Sequence, residues 1–239
     1  MDVDGLVDEV DRELRSQGTP GRAIREKAYL KSGLEHYGVT MPGIRSVAKD
    51  ARRRYPALTH DELVALATAL WAAPVHERRM ATVELLGFYA ELLRPDDIAL
   101  LERFLRESRT WALVDGIAPN VVGPLFERHG ELGTVLDRWS TDEDFWIRRS
   151  ALLTLLLPLR RGAGDFERFS RYADAMLDEK EFFIRKAIGW VLRETGKKRP
   201  DLVYEWVLPR ARRMSGVTRR EAVKPLTDEQ RATVAAAAR

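Results

Sequence analysis

The chain has 239 residues, 45% of them hydrophobic and 32% charged, so it can bury a sizeable core and is too apolar to be disordered. Cysteine is absent, which excludes a disulfide scaffold, a cysteine-ligated zinc site and thiol catalysis. No apolar run reaches the roughly 18 residues of a membrane span. The acidic N-terminus does not resemble a signal peptide, so a cytoplasmic protein is expected.

The net charge of +3 is small, but the charges are unevenly distributed along the chain. Residues 1–20 hold six acids against two arginines, whereas residues 181–225 hold twelve basic residues against five acids. Such asymmetry points to an anionic partner, with nucleic acid the first candidate. A basic surface that is merely solvated is the alternative.

Helical periodicity dominates the chain. Apolar residues recur at helical spacing in five segments, at 6–14, 63–70, 83–93, 98–105 and 166–177. Pro95 and Pro200 are each followed by an aspartate, which is typical of a helix start. No segment alternates apolar and polar residues as a strand does. The sequence therefore predicts an all-α protein: a single domain over 1–239, with an acidic helix at 1–20 and a tail at 227–239.

A repeat underlies this helical pattern. FWIRRSAL (145–152) and FFIRKAIG (182–189) match at an offset of 37, and WALVD (111–115) precedes the first of these by 34. VHERR (75–79) lies 36 residues earlier still, and MPGIR (41–45) is a fainter copy. Periods of this length are typical of α-solenoids. We therefore expect about six HEAT-like helix pairs, curved, with a basic concave face.

One aligned position of the repeat carries a charged residue in every copy, and most of these residues are cations. In chain order it is occupied by Arg45, Arg79, Asp115, Arg149 and Lys186. Four cations on one face would suit a phosphate backbone, which the single carboxylate would repel. Asp115 therefore either pairs with Arg79 or Arg149 to join adjacent repeats, or has a chemical role.

Two tryptophans share helix faces with these charged residues. Trp111 lies four residues before Asp115, and Trp190 lies four after Lys186. The other four tryptophans are expected in the core. An indole beside a carboxylate suits a cationic ring. A purine alkylated at N3 or N7 is such a ring and already a good leaving group, so one carboxylate could promote cleavage of its N-glycosidic bond.

With these features the chain resembles the AlkD-type DNA alkylation repair proteins, a family of HEAT-like-repeat DNA glycosylases. The likeness runs from about Lys27 to Lys224 and is most specific in EFFIRKAIGWVLRE (181–194), FWIRR (145–149) and WALVD (111–115). It implies a catalytic Asp115, with Trp111 and Trp190 flanking the lesion. The expected DNA-binding residues are Tyr29, Arg45, Arg79, Arg148, Arg149, Lys186 and Arg193.

The resemblance implies a glycosylase that releases N3- or N7-alkylated purines from double-stranded DNA without a cofactor. Because no amine nucleophile is indicated, we expect it to be monofunctional, and we expect a monomer. No metal is expected either, since the four histidines are scattered and His76-Glu77 lacks a second histidine at Met80. Two other functions stay open: a non-catalytic HEAT-like protein that recognises DNA structure, and a scaffold for an acidic protein. Many relatives carry SWWD where this chain has TWAL (110–113), so its preference between small and bulky lesions is also open.

Overall fold

The computed structural model describes residues 2–239, and these residues form helices joined by short connections. The described part of the chain contains no β-strand; its one isolated bridge joins Glu35 to Val75. The all-α prediction is therefore confirmed. Within residues 2–239, no helix combines the length and apolar character that crossing a bilayer requires.

The described residues form α-helices with a few short 3₁₀ turns between them. In chain order they are α1 (Val3–Gln17), α2 (Pro20–Leu30), α3 (Met41–Arg54), α4 (His60–Ala72), α5 (His76–Phe88), α6 (Ile98–Ser108), α7 (Trp111–Ile117), α8 (Gly123–Arg128), α9 (Gly133–Trp139), α10 (Phe145–Thr154), α11 (Leu156–Arg160), α12 (Phe166–Ala175), α13 (Phe182–Gly196), α14 (Pro200–Val207), α15 (Gly216–Ala222) and α16 (Asp228–Ala237). The 3₁₀ turns are Ala90–Leu92, Pro95–Asp97, Gly130–Leu132 and Leu208–Arg210, and a π-helical turn spans Ala118–Val122.

The helices group into two compact units, the first ending at Leu125 and the second comprising Phe126–Arg239. In the first, α5 packs between α3 and α7, with α4 and α6 packed against these helices. In the second, α13 packs between α10 and α15, and α14 packs against α13. The organisation into one domain stays a prediction.

Each copy of the repeat opens a helix. The copies coincide with the first residues of α3, α5, α7, α10 and α13. The acids that precede two copies act as N-caps: Asp144 accepts a hydrogen bond from the Trp146 amide at 2.8 Å, and Glu181 from the Phe183 amide at 3.1 Å. The repeat register is therefore a register of helix starts, and it places the charged position in the second turn of each helix.

The four tryptophans predicted for the core are buried, which confirms that expectation: they are Trp71, Trp139, Trp146 and Trp206. Trp71 stacks on Phe104 with ring centroids 4.3 Å apart. Trp71 lies on α4 and Phe104 on α6, so this contact joins the two helices. Trp111 and Trp190 are half-buried instead.

Helix α2 is attached differently from its neighbours, because none of its side chains is fully buried. Ile24 and Tyr29 are 72% and 74% exposed, respectively. Its attachment includes polar contacts: the Arg22 guanidinium donates to the Val39 carbonyl at 3.3 Å and to Glu26 at 3.1 Å. Such a helix lacks the apolar contacts that normally supply most helix stability in a folded protein.

Candidate functional site

Helix α7 begins after a two-residue reversal of the chain. Only Arg109 and Thr110 separate it from the end of α6, and Arg109 has a left-handed φ of 47°. At a helix C-terminus this left-handed conformation is usually adopted by glycine. For a residue with a Cβ, adopting it costs on the order of 1 kcal/mol. The reversal places Trp111 at the first position of α7.

Trp111 and Asp115 lie one turn apart on α7, and both are half-buried. Leu113, Val114 and Ile117 are completely buried and anchor the helix in the core. A Cβ on Gly116 would lie 2.9 Å from a methyl group of Val83, so α7 approaches α5 more closely than a larger residue would allow. The helix is therefore rigidly seated, while its tryptophan and carboxylate keep access to solvent.

The structure brings Tyr29 to Trp111. The two rings meet edge to face, with centroids 5.9 Å apart and planes at 89°. Tyr29 is largely exposed near the end of α2, and Trp111 retains part of its surface. Two of the residues expected at the site therefore form one aromatic pair, next to Asp115 on the same helix as Trp111.

The helical turn after Asp115 is widened. Pro119 has no N–H to donate to the Asp115 carbonyl, and residues 118–122 form a π-helical turn around it. The Asn120 side-chain amide donates to the Gly116 carbonyl at 3.0 Å. Such turns occur often at functional sites. Pro119, four residues after Asp115, is the sequence signal that could have located this irregularity.

A cleft of about 480 Å³ adjoins the start of α7, and sequence reasoning did not predict it. It is lined by Ser32, Gly33, Leu34, Arg79, Arg106, Glu107, Ser108, Arg109 and Thr110. Three of these residues are arginines and one is a glutamate, so the lining carries net positive charge. The cleft depends on the left-handed Arg109, whose conformation the sequence alone did not indicate.

Arg79 lies within the packing between helices. Its guanidinium donates to the Trp71 carbonyl at 3.2 Å and to the Glu107 carbonyl at 2.9 Å, and it lies 4.8 Å from the centroid of the Trp71 indole. Burial lowers the pKa of Arg79, and the charge of Glu107 opposes that shift. Arg79 therefore caps the C-terminal ends of α4 and α6.

Arg45 lies on the surface of α3 and is exposed. It makes a bidentate ion pair with Glu84 of α5, at 2.8 and 3.0 Å. The hydrogen bonds that Arg45 donates to Glu84, together with the negative charge of Glu84, raise the pKa of Arg45. Because such pairs at a surface are worth little in water, this guanidinium can exchange its carboxylate for a phosphate at small cost.

In the second unit, Arg149 and Arg148 link helices rather than extend into solvent. Arg149 is 2% exposed; its guanidinium donates to the Phe183 carbonyl and lies 5.9 Å from that ring's centroid, which ties α10 to α13. Arg148 makes a bidentate pair with Glu179, at 3.0 and 2.8 Å. The aligned cations therefore differ: Arg79 and Arg149 are buried, whereas Arg45 and Lys186 have accessible side chains.

Lys186 and Arg193 converge on Glu221 of α15, together with Lys224. The Lys186 and Lys224 amines lie 3.1 and 2.9 Å from the carboxylate, and Arg193 also donates to it. Burial alone would raise the pKa of Glu221, but these three cations lower it to about 2. We call these four residues the Glu221 cluster. Its net positive charge suits a phosphate.

Trp190 lies on α13 one turn after Lys186 and is half-buried. The preceding Gly189 is where α13 and α15 approach closely: a Cβ there would lie 2.9 Å from the Thr218 carbonyl oxygen. The expected site residues thus fall into two groups. The first unit holds Tyr29, Arg45, Arg79, Trp111 and Asp115, and the second holds Arg148, Arg149, Lys186, Trp190 and Arg193.

Comparison with known proteins agrees with the fold and with the resemblance seen in the sequence. The family model described as "DNA alkylation repair enzyme" matches residues 10–226. A predicted DNA alkylation repair enzyme from Enterococcus faecalis is similar in structure, with a TM-score of 0.79 and 23% identity over 89% of this chain and 98% of that one. AlkD2 from Streptococcus mutans superposes with a TM-score of 0.54 and 17% identity, over 90% and 97% of the two chains.

Among curated protein sequences, the comparison finds no significant match. The family model nevertheless covers all of α2 to α15, including every residue expected at the site. The structural neighbours share the helical-repeat architecture along nearly their whole length. The chain therefore belongs to the DNA alkylation repair enzyme family.

Proposed function

We propose that this protein is a DNA glycosylase that hydrolyses the N-glycosidic bond of positively charged N3- or N7-alkylated purines in duplex DNA. The observation that carries the proposal is the partly exposed Tyr29–Trp111 pair, whose Trp111 lies one helical turn before Asp115. This arrangement lies in a member of a DNA alkylation repair family. It offers aromatic surface and negative charge to the same ligand.

The charge of the lesion decides which groups the reaction needs. An alkylated purine leaves as a neutral base, so no general acid has to protonate it, unlike the leaving group of a sugar glycosidase. As the C1′–N bond breaks, positive charge develops on the deoxyribose. Asp115 stabilises that charge and orients the water that attacks C1′; this water loses one proton to solvent as the C1′ hydroxyl forms. The products are a free alkylpurine and an abasic site.

Coulombic attraction from one carboxylate is large enough for this role. Two unit charges about 4 Å apart interact by about 4 kcal/mol at an effective dielectric constant of about 20. If this interaction energy is gained only in the transition state, it increases the rate of bond cleavage about a thousandfold. The half-buried position of Asp115 lowers the local dielectric relative to bulk water while leaving room for the attacking water.

The aromatic pair binds the damaged nucleotide and takes no direct part in breaking the glycosidic bond. The faces of Tyr29 and Trp111 attract a cationic ring or the developing charge on the sugar. Arg106 and Arg109, which line the cleft at the start of α7, supply positive charge for a nearby phosphate. In the second unit, the Glu221 cluster and Trp190 provide further cationic and aromatic contacts for DNA.

A base-release assay tests this function. The protein is incubated in low salt with duplex DNA containing either 7-methylguanine or a bulky N3-adenine adduct, and the free base is measured by chromatography. We expect release of at least one of the two bases, with the abasic strand left uncut until alkali is added. DNA binding without release of either base would favour a non-catalytic DNA-structure-binding protein.

A further inference from the structure

A cluster of carboxylates and imidazoles lies where α2, the loop 31–40 and the start of α5 meet. Glu26 comes from α2, His36 from the loop, and His76 and Glu77 from α5. The loop is held there by backbone hydrogen bonds: the Glu35 amide donates to the Pro74 carbonyl at 2.8 Å, and the His76 amide to the Glu35 carbonyl at 2.9 Å.

Several polar atoms in this cluster are buried without a hydrogen-bond partner. They are Oε2 of Glu26, both ring nitrogens of His36 and Nδ1 of His76. His76 is 2% exposed, and its ring stacks on that of His36 with centroids 4.6 Å apart and planes 9° from parallel. A buried polar group without a partner costs about 1–3 kcal/mol, so a ligand that bonds to Glu26 and to one nitrogen of His36 would be stabilising here.

Glu77 is completely buried and orients the loop, yet it can still accept a ligand. Its Oε1 accepts hydrogen bonds from the Gly38 and Val39 amides, and its Oε2 accepts one from the Tyr37 amide. A carboxylate has about four lone-pair positions, so one position on Oε2 is left. The loop contacts therefore hold the carboxylate in place without saturating it.

We propose that Glu26, His36 and Glu77 bind one divalent transition-metal ion of the zinc type. One atom from each of the three lies within 4.8 Å of the others. One imidazole nitrogen and two carboxylate oxygens form a donor set that suits Zn²⁺ and its neighbours, whereas Mg²⁺ and Ca²⁺ prefer oxygen alone. The stacked His76 restricts the orientation of the His36 ring.

The charge and accessibility of the cluster agree with a bound cation. Two carboxylates face this point, and only one of them is paired with a cation, through the contact of Arg22 with Glu26. A surface depression of about 300 Å³, lined by Ala23, Ile24, Lys27, Glu35 and His36, adjoins the cluster at His36.

The ion would fasten α2, which has no buried side chain of its own. Glu26 lies three residues before Tyr29, so a bond from Glu26 to a metal held by His36 and Glu77 ties that turn of α2 to α5. Because α2 lacks apolar anchoring, it can move Glu26 toward the ion at little cost. An ion held by these three residues would therefore keep Tyr29 in place next to Trp111.

Zinc binding by the untagged full-length protein tests the proposal. After dialysis against a chelator, calorimetric titration with Zn²⁺ should show one site per chain that Mg²⁺ does not compete for. Glu26→Gln and His36→Ala should each weaken binding at least about tenfold. The matched control is His129→Ala, which removes a histidine from the second unit and should leave binding unchanged.

Hydrogen exchange supplies a readout that DNA activity does not affect. In the wild-type protein, Zn²⁺ should slow exchange of the α2 amides and raise the Tm, and it should do neither in Glu26→Gln. Circular dichroism checks that each variant is folded; Glu26→Gln keeps the shape of a half-buried side chain. Absence of zinc binding, or equal binding by the wild type and both ligand variants, would overturn the proposal.

Discussion

Tyr29, near the exposed end of α2, packs edge-on against Trp111 at the first position of α7, with ring centroids 5.9 Å apart. The contact joins the least anchored helix of the first unit to the helix that carries Asp115. Two large aromatic rings are thereby kept partly in solvent, although burying them would be favourable. Such exposure is expected where aromatic surface binds a ligand.

Removing either ring should weaken lesion recognition. Aromatic stacking on a base is worth about 1–3 kcal/mol, so Trp111→Ala should lower single-turnover base release by about fivefold to 150-fold. Tyr29→Phe keeps the edge contact and should be close to wild type, whereas Tyr29→Ala should resemble Trp111→Ala. Equal rates of base release by Trp111→Ala and wild type would contradict a role of the aromatic pair in lesion recognition.

Replacing Arg79 should destabilise the fold. Arg79→Met leaves the Trp71 and Glu107 carbonyls without their donor and removes the cation–π contact. We expect a loss of about 2 kcal/mol or more in the free energy of unfolding, measured with urea. Arg45→Met removes only an exposed ion pair and should cost less than about 1 kcal/mol. Similar losses in the two variants would contradict the structural role of Arg79.

Acid stability should depend on Glu221. Its pKa in the folded protein, about 2, lies below the ordinary value of 4.5, so the ionised carboxylate stabilises the fold above pH 4.5. That stability is lost as the pH falls from 4.5 toward 2. Between pH 5.5 and pH 3, the free energy of unfolding in urea should therefore fall less steeply with pH for Glu221→Gln than for the wild type. Glu205→Gln, which changes an exposed carboxylate on α14, should follow the wild-type curve.

The Glu221 cluster should contribute to DNA affinity mainly through charge. Each phosphate contact adds about one to the slope of log affinity against log salt concentration. Lys186→Ala should lower that slope by about one, whatever the DNA sequence, in a fluorescence-anisotropy titration. Arg171→Ala, an exposed change on α12, should leave it unchanged. If both variants keep the wild-type slope, the cluster does not bind phosphate.

The sequence is sufficient to predict the all-α fold and the repeat register, because both depend on local spacing. Apolar periodicity identifies the buried stripe of a helix, and each aligned motif coincides with a helix start. Local spacing also distinguishes the two half-buried tryptophans from the four buried ones. Trp111 and Trp190 share a helix face with a charged residue, whereas the other four do not face solvent.

Other features depend on contacts between distant segments, which spacing does not encode. The repeat shows that a cation occupies one position in most helices, but not that Arg79 and Arg149 reach backbone carbonyls of neighbouring helices. The cluster of Glu26, His36 and Glu77 combines two helices and a loop, so no local motif marks it. The left-handed Arg109 beside the cleft is likewise set by the packing of α6 and α7.

The most direct test of the proposed glycosylase compares wild type with Asp115→Asn at saturating enzyme on duplex DNA containing 7-methylguanine. Release of the base is followed in a single turnover, and affinity for the same duplex is measured alongside. We predict a loss of about a hundredfold or more in release rate, with DNA affinity retained or increased. Asp8→Asn, which changes an exposed carboxylate on α1, should release base at the wild-type rate. Equal rates of release by wild type and Asp115→Asn would contradict the catalytic role of Asp115.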